Sequence, residues 1–196
     1  MSQEDHNLPQ RIISATKALI SETEDISTIT VRRIAQRAGV GLGLINYHFH
    51  SRDNLLSVAI GESMVRIISD FTSTKANHDQ PPVCQLKELL TKLCSMAGSD
   101  TKFVRFIIQR ELYEGSAQAP LHLTPLLKAI YGAEKDEMQL RIIAMQIIHP
   151  LQVACLDTDA FHMFSGINLL NPDERATFID SLVNNLIPPA DKEGKS

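Results

Sequence analysis

The sequence predicts an all-α chain with an N-terminal three-helix helix-turn-helix head and a larger helical body. Two observations carry that prediction. Between Thr30 and Leu56 two short helical patterns are split by Ala38-Gly39-Val40. Beyond Leu56 apolar residues recur at three- and four-residue intervals almost to the end, the period of a helix that buries one face.

The first short helix follows from spacing. Val31, Ile34, Ala35 and Ala38 fall on one face, and Arg32, Arg33, Gln36 and Arg37 on the other. Thr30 stands at the N-cap, where its hydroxyl can accept a bond from an amide of the first turn. Gly39 stops the helix, because the left-handed conformation just past a helix end costs glycine nothing. A second helix starts near Gly41 or Leu42. It buries Ile45 and Phe49, four residues apart, and leaves Leu44, Asn46 and His48 pointing elsewhere. Ser51 caps a long third helix with Leu55, Leu56, Ala59, Ile60, Met64, Ile67, Ile68 and Phe71 as its stripe. That helix links head and body, so the domains are drawn at 1–52 for the DNA-binding head and 53–196 for the body.

The polar stretch 72–82, with two prolines, reads as a flexible connection. Helices are expected at 83–97, 101–114 and 122–131, with a loop at 115–120. The segment 134–157 is apolar on two sides. Leu140, Ile143, Ala144, Ile147, Leu151, Ala154 and Cys155 form one stripe, and Met138, Ile142, Met145 and His149 another. A helix apolar nearly all round needs a core on one side and a partner subunit on the other. Pro150 should kink it, with His149 placed to satisfy a freed carbonyl. The last helix opens at Asn171-Pro172-Asp173-Glu174, a cap, a proline and two acids. Its stripe is Ile179, Leu182, Val183, Leu186 and Ile187, and it ends at Pro188-Pro189.

The net charge of −4 conceals a local bias. Residues 27–52 hold four arginines (Arg32, Arg33, Arg37 and Arg52) and none of the chain's 23 Asp and Glu. A small basic head on an acidic body suits phosphate neutralisation. Gly39-x-Gly41-x-Gly43 resembles a dinucleotide-binding turn only superficially, since an Arg-studded helix precedes it and the third glycine is misplaced. No Gly-x-Ser-x-Gly elbow, phosphate loop or His-Glu-x-x-His is present, so no catalytic residue, cofactor or enzymatic activity is expected. Cys84, Cys94 and Cys155 lack ligand spacing and fit reduced thiols in a core. His162 and Met163 near Cys155 do not make a metal site. With no apolar run near 18 residues and no charged-then-apolar leader, the expectation is a cytoplasmic protein without a membrane span.

Thr30-Val31-Arg32-x-Ile34-Ala35, Ala38-Gly39-Val40, Gly43-x-Ile45-x-Tyr47-His48-Phe49 and Ser51-Arg52-Asp53-x-Leu55-Leu56 together resemble the tetracycline-repressor (TetR) family of one-component bacterial regulators. The resemblance covers about the first quarter of the chain, and Arg11, Ile12, Ala15 and Leu19 match the family's first helix, which braces the other two. It implies that Thr30, Tyr47, His48 and Arg52 contact phosphates while Arg32, Leu42, Gly43, Leu44 and Asn46 face base edges. Gly41-Leu42-Gly43 and Asn46 replace more polar residues usual in the family. Asn46 could pair with adenine and Leu42 or Leu44 touch a thymine methyl, which points to an A·T-leaning half-site.

By the same resemblance the last two long helices pair with their symmetry mates. The homodimer then reads a palindromic operator in double-stranded DNA. A small-molecule effector, unidentified from sequence, would release it. Candidate pocket residues are Phe103, Phe106, Ile107, Met138, Ile142, Met145 and Phe161, with Arg110, Glu111, Arg141 and His149 as polar anchors. The apolar members are more often plain core, and Met suits irregular gaps there. The reading is a ligand-responsive dimeric repressor. The alternatives are a regulator of the same fold that activates or answers to a protein partner, and a small helical enzyme or lipid-binding protein.

Overall fold

The computed structural model describes residues 7–23, 25–73, 80–99, 101–115 and 118–187. The chain divides into two compact units, 1–70 and 71–196.

In the first unit, α1 (Leu8–Ser21), α2 (Val31–Ala38) and α3 (Leu42–Phe49) precede the long α4 (Arg52–Ser73). Apolar spacing on α1 buries Leu8, Ile12, Ala15 and Leu19. Thr16 joins them with its hydroxyl bonded to the Ile12 carbonyl at 2.8 Å, which removes the cost of burying it. A single 3₁₀ turn, Ile26–Thr28, held by the Asp25 carboxylate on the Ser27 amide at 2.9 Å, leads into α2. Leu55, Leu56 and Ala59 of α4 are fully buried. Lys17 of α1 pairs with Glu62 of α4 at 2.8 Å. Through these contacts α4 belongs with the head, and the division falls at residue 70 instead of the residue 52 drawn from sequence.

The second unit contains α5 (Pro82–Ser99), α6 (Thr101–Glu114), α7 (Gln118–Leu121), α8 (Thr124–Tyr131), α9 (Glu137–Leu156), α10 (Thr158–Ser165) and α11 (Pro172–Asn184). Its centre is α9, which packs against α5, α6, α7, α8 and α10. Asp136 opens α9 with a reciprocal capping box to Gln139. Leu140, Ala144, Ile147, Leu151, Ala154 and Cys155 are buried, as the first stripe requires. By length and composition alone α9 is apolar enough to cross a membrane, a test that the core helix of a globular body also passes. Its burial identifies it as the core helix of the body. Pro150 lies inside it, but His149 makes no hydrogen bond to a freed carbonyl among the described residues.

Two elements depart from the sequence pattern. The loop expected at 115–120 contains the short helix α7, fixed by the Ala119 amide donating to Glu111 Oε1 at 2.7 Å and by burial of Pro120. The apolar segment ends at Leu156, beside the expected Asp157, but a helix absent from the sequence expectation follows at once: Asp157, in an extended conformation, caps α10 through the Ala160 amide at 3.0 Å. At α11 the expected start holds: Asn171 accepts from the Asp173 amide at 2.9 Å, and Ile179, Val183 and Ile187 are buried. Cys94 and Cys155 are buried thiols, whereas Cys84 is exposed and lies outside the core to which the sequence assigned it. The connection expected at 72–82 falls largely outside the described residues.

Candidate nucleic-acid interface

The head builds its exposed surface on two short helices whose ends are fixed by side chains and one glycine. Thr30 Oγ1 accepts from the Arg33 amide at 3.2 Å and starts α2. Gly39, at φ 65°, ends it with its amide on Ala35 and Gln36 carbonyls, and the Val40 amide reaches back to Ala35 at 3.0 Å. Arg11 of α1 adds a bond from Nη2 to the Ala38 carbonyl at 3.0 Å, so the first helix braces the turn.

On α3 the periodicity separates two faces. Ile45 and Phe49 are buried, while Leu42, Gly43, Leu44, Asn46 and Tyr47 are exposed, Tyr47 at 75%. A row of large apolar and aromatic side chains turned to solvent on an eight-residue helix is costly unless something else covers it. Nothing lies within 4 Å of where a Cβ would stand on Gly41 or Gly43, so the start of α3 is open to close backbone approach. His48 is half-buried, its ring edge-on to Tyr47 with centroids 5.0 Å apart.

The four arginines are not equivalent. Arg37 pairs with both carboxylate oxygens of Glu22. Arg33 donates through Nη1 to the Thr28 carbonyl at 2.8 Å. Arg52 donates from Nε to the Ile29 carbonyl at 2.5 Å, from Nη2 to the Ile26 carbonyl, and from Nη1 to Asp53 at 2.9 Å. Of the four, Arg32 alone is exposed without an intramolecular partner among the described residues. Arg52, expected at a phosphate, is thus engaged within the head. Its guanidinium is half-buried and committed to the turn before α2, with its charge neutralised by Asp53. Partner geometry of this kind could not be read from spacing, since Glu22, Asp53 and the two carbonyls lie outside the helical pattern that placed the arginines.

In the body, Phe106, Ile107, Arg110, His149 and Phe161 are half-buried, and the Phe103 side chain lies outside the described residues. Met138, Ile142 and Met145 are exposed on α9 instead of turned toward the interior, at 65%, 49% and 41%. Phe161 packs on Phe178 of α11, ring centroids 4.9 Å apart. Glu111 is occupied by the Ala119 amide and by Gln152 Nε2 at 2.8 Å, and Arg141 by Glu137 at 3.1 Å on the surface. The sequence reading missed Gln152, a buried polar residue on the apolar α9 whose Oε1 has no hydrogen-bond partner among the described residues.

The family pattern for bacterial regulatory proteins of the TetR family matches residues 12–59, the four helices just described up to the first turns of α4. An HTH-type transcriptional regulator of Staphylococcus aureus is 26% identical over 108 residues, 55% of this chain and 56% of that protein. The HTH-type transcriptional regulator BetI 2 of Chromohalobacter salexigens is 37% identical over 67 residues, 34% of this chain and 30% of that protein. The chain thus spans about half or less of the length of these curated relatives. A TetR transcriptional regulator from Rhodococcus has the same fold, with a TM-score of 0.71 over 96% of this chain and 100% of its own at 14% identity. Residues 12–59 thus resemble the helix-turn-helix head of the TetR family of bacterial regulatory proteins, and the chain as a whole shares the all-helical fold of the Rhodococcus regulator.

Proposed function

We propose that the protein is a dimeric one-component transcriptional repressor, acting in the cytoplasm, that binds a palindromic operator and is released by a small-molecule effector. The observation that carries this reading is the outward face of α3. Leu42, Gly43, Leu44, Asn46 and Tyr47 are all exposed, beside the unpaired Arg32, on a helix whose other face is locked by Ile45 and Phe49. A helix of this size fits the major groove. Asn46 is assigned to a base edge, Leu42 and Leu44 to thymine methyls, and Thr30, Tyr47 and His48 to phosphates.

Dimerisation is assigned to residues 71–196. Met138, Ile142, Met145 and Val153 form an exposed apolar stripe on α9, a surface that favours burial against a second copy. The effector is assigned to the same unit, near the half-buried Phe106, Ile107, Arg110, His149 and Phe161. Its action is a population shift. DNA favours the dimer with correctly spaced heads, the effector favours another, and each weakens the other reciprocally.

Selection of bound duplexes from a random DNA pool at moderate salt, with the oligomeric mass measured in the same buffer, tests the reading. Enrichment of a palindrome by a dimer is the expected result. Absence of any enriched sequence would overturn it.

A further inference from the structure

We propose that Cys94 and Cys155 form an oxidisable dithiol, a modification site in which hydrogen peroxide converts the two thiols into a disulfide that ties α5 to α9. The two residues are 61 positions apart, yet Cys155 Sγ donates to Cys94 Sγ at 3.6 Å. Both are buried, at 3% and 5% exposure. A disulfide needs the sulfurs about 1.5 Å closer than this contact.

The surroundings distinguish the two sulfurs. Arg175, in the first turn of α11, has its Nε buried without a hydrogen-bond partner among the described residues, while Nη1 donates to the Leu169 carbonyl at 3.0 Å. Its positive charge acts on both thiols. The hydrogen bond accepted from Cys155 pulls the Cys94 thiol below its ordinary range, against the effect of burial and with the help of Arg175. Cys155 moves the other way. Donating that bond, burial and the charge of Cys94 all hold its proton on, and Arg175 opposes them. Cys94 is thus the nucleophile and Cys155 the resolving thiol.

The chemistry balances with the peroxide as the sole oxidant. The Cys94 thiolate attacks one peroxide oxygen, the O–O bond breaks, and Cys94 sulfenic acid and hydroxide form; the hydroxide takes up a proton as water. The Cys155 sulfur, giving up its proton, then attacks the sulfenic sulfur. The S–S bond forms, the S–O bond breaks, and the departing hydroxide leaves as a second water. Two electrons pass from the thiols to the peroxide.

The site is independent of the DNA-binding reading, and its test is read in the thiols. The folded wild-type protein is exposed to hydrogen peroxide, quenched, unfolded, alkylated and mapped by mass spectrometry, with the exposed Cys84 as internal reference. The expected result is a peptide pair linked through Cys94 and Cys155, loss of both thiols to alkylation, and full recovery with a dithiol reductant. The proposal is overturned if both thiols stay alkylatable while Cys84 is consumed. It is equally overturned if oxidation stops at an unlinked Cys94, or if the links found join different chains. No variant of the core is needed, so a folding defect cannot imitate either answer.

Discussion

The guanidinium of Arg52, at the first position of α4, donates through Nε to the carbonyl of Ile29 at 2.5 Å. Ile29 is fully buried and sits one residue before the Thr30 cap of α2. The start of the long helix therefore holds the entry into the first helix of the DNA-reading pair. This is the reverse of what a basic residue at the edge of such a motif suggests from sequence. Arg52→Ala should cost about 1–3 kcal/mol, as removal of the charged donor takes away the side-chain bond to the Ile29 carbonyl, while the Ile26 carbonyl keeps the Ile29 amide. Urea unfolding measures this. Unchanged stability together with a salt slope lower by about one phosphate would return Arg52 to the DNA contact that its position implied.

Arg32 should behave oppositely. It is exposed and has no intramolecular partner among the described residues, so Arg32→Ala should leave stability within about 0.5 kcal/mol while operator affinity falls. Paired measurement of unfolding and of binding against salt separates it from Arg52. A loss of stability in Arg32→Ala comparable to that of Arg52→Ala would show that the two arginines share one structural role.

Much of the head was legible because its signals are local. The Thr30 cap, the Gly39 stop, the Ile45–Phe49 pair and the Ser51 cap each involve residues within four positions of one another, and each is present: the Asn54 amide, for instance, donates to Ser51 Oγ at 3.1 Å. What could not be read is non-local. The commitment of Arg37 to Glu22 crosses 15 positions, that of Arg52 to Ile29 crosses 23, and Cys94 meets Cys155 across 61. The split between α9 and α10 was in principle legible. Asp157-Thr158-Asp159 is a cap followed by an acid in the first turn, but α10 has only eight residues and none of them is buried, so no core-facing stripe marks it as a helix. The effector site stayed illegible for another reason. A half-buried Phe161 packed on Phe178 satisfies the same hydrophobic pattern whether it lines a pocket or fills a core.

Asn46→Ala should relax specificity at one base-pair position in each half-site, with a cost of about 1–3 kcal/mol there. Asn46 is exposed on α3 between Ile45, which is buried, and Tyr47. Its loss therefore removes hydrogen-bonding groups without opening a cavity. Selection from random duplexes with the variant measures this. A uniform drop in affinity across sequences would place a different face of α3 in the groove.

Gly43→Ala separates fit to the protein from fit to DNA. The added methyl meets no atom within 4 Å, and replacing glycine in a helix gains up to about 1 kcal/mol. The variant should melt slightly higher yet bind the operator more weakly, since the methyl occupies space at the groove-facing start of α3. Higher stability with unchanged operator binding would show that this turn does not approach the DNA closely.

His50 is the one non-glycine residue with positive φ among the described residues, at 62° with ψ −41°. It sits at the centre of a tight turn between α3 and α4 in which the Ser51 amide meets the Phe49 carbonyl at 2.6 Å. Such a turn is strained for any residue with a Cβ. It persists because both flanks are held: the His50 amide bonds the Asn46 carbonyl at 2.9 Å, and Asn54 Nδ2 bonds the Phe49 carbonyl at 3.0 Å. His50→Gly relieves the strain, worth about 1–3 kcal/mol, and loses about 0.5–1 kcal/mol to the freer unfolded chain. The net should be a gain near 1 kcal/mol, read as a melting temperature higher by about 2–4 °C for a chain of this size. The exposed imidazole makes no hydrogen bond among the described residues, so operator affinity should stay the same. A lower melting temperature would mean that the turn is held in this conformation by the His50 side chain and not by the bonds on either side of it.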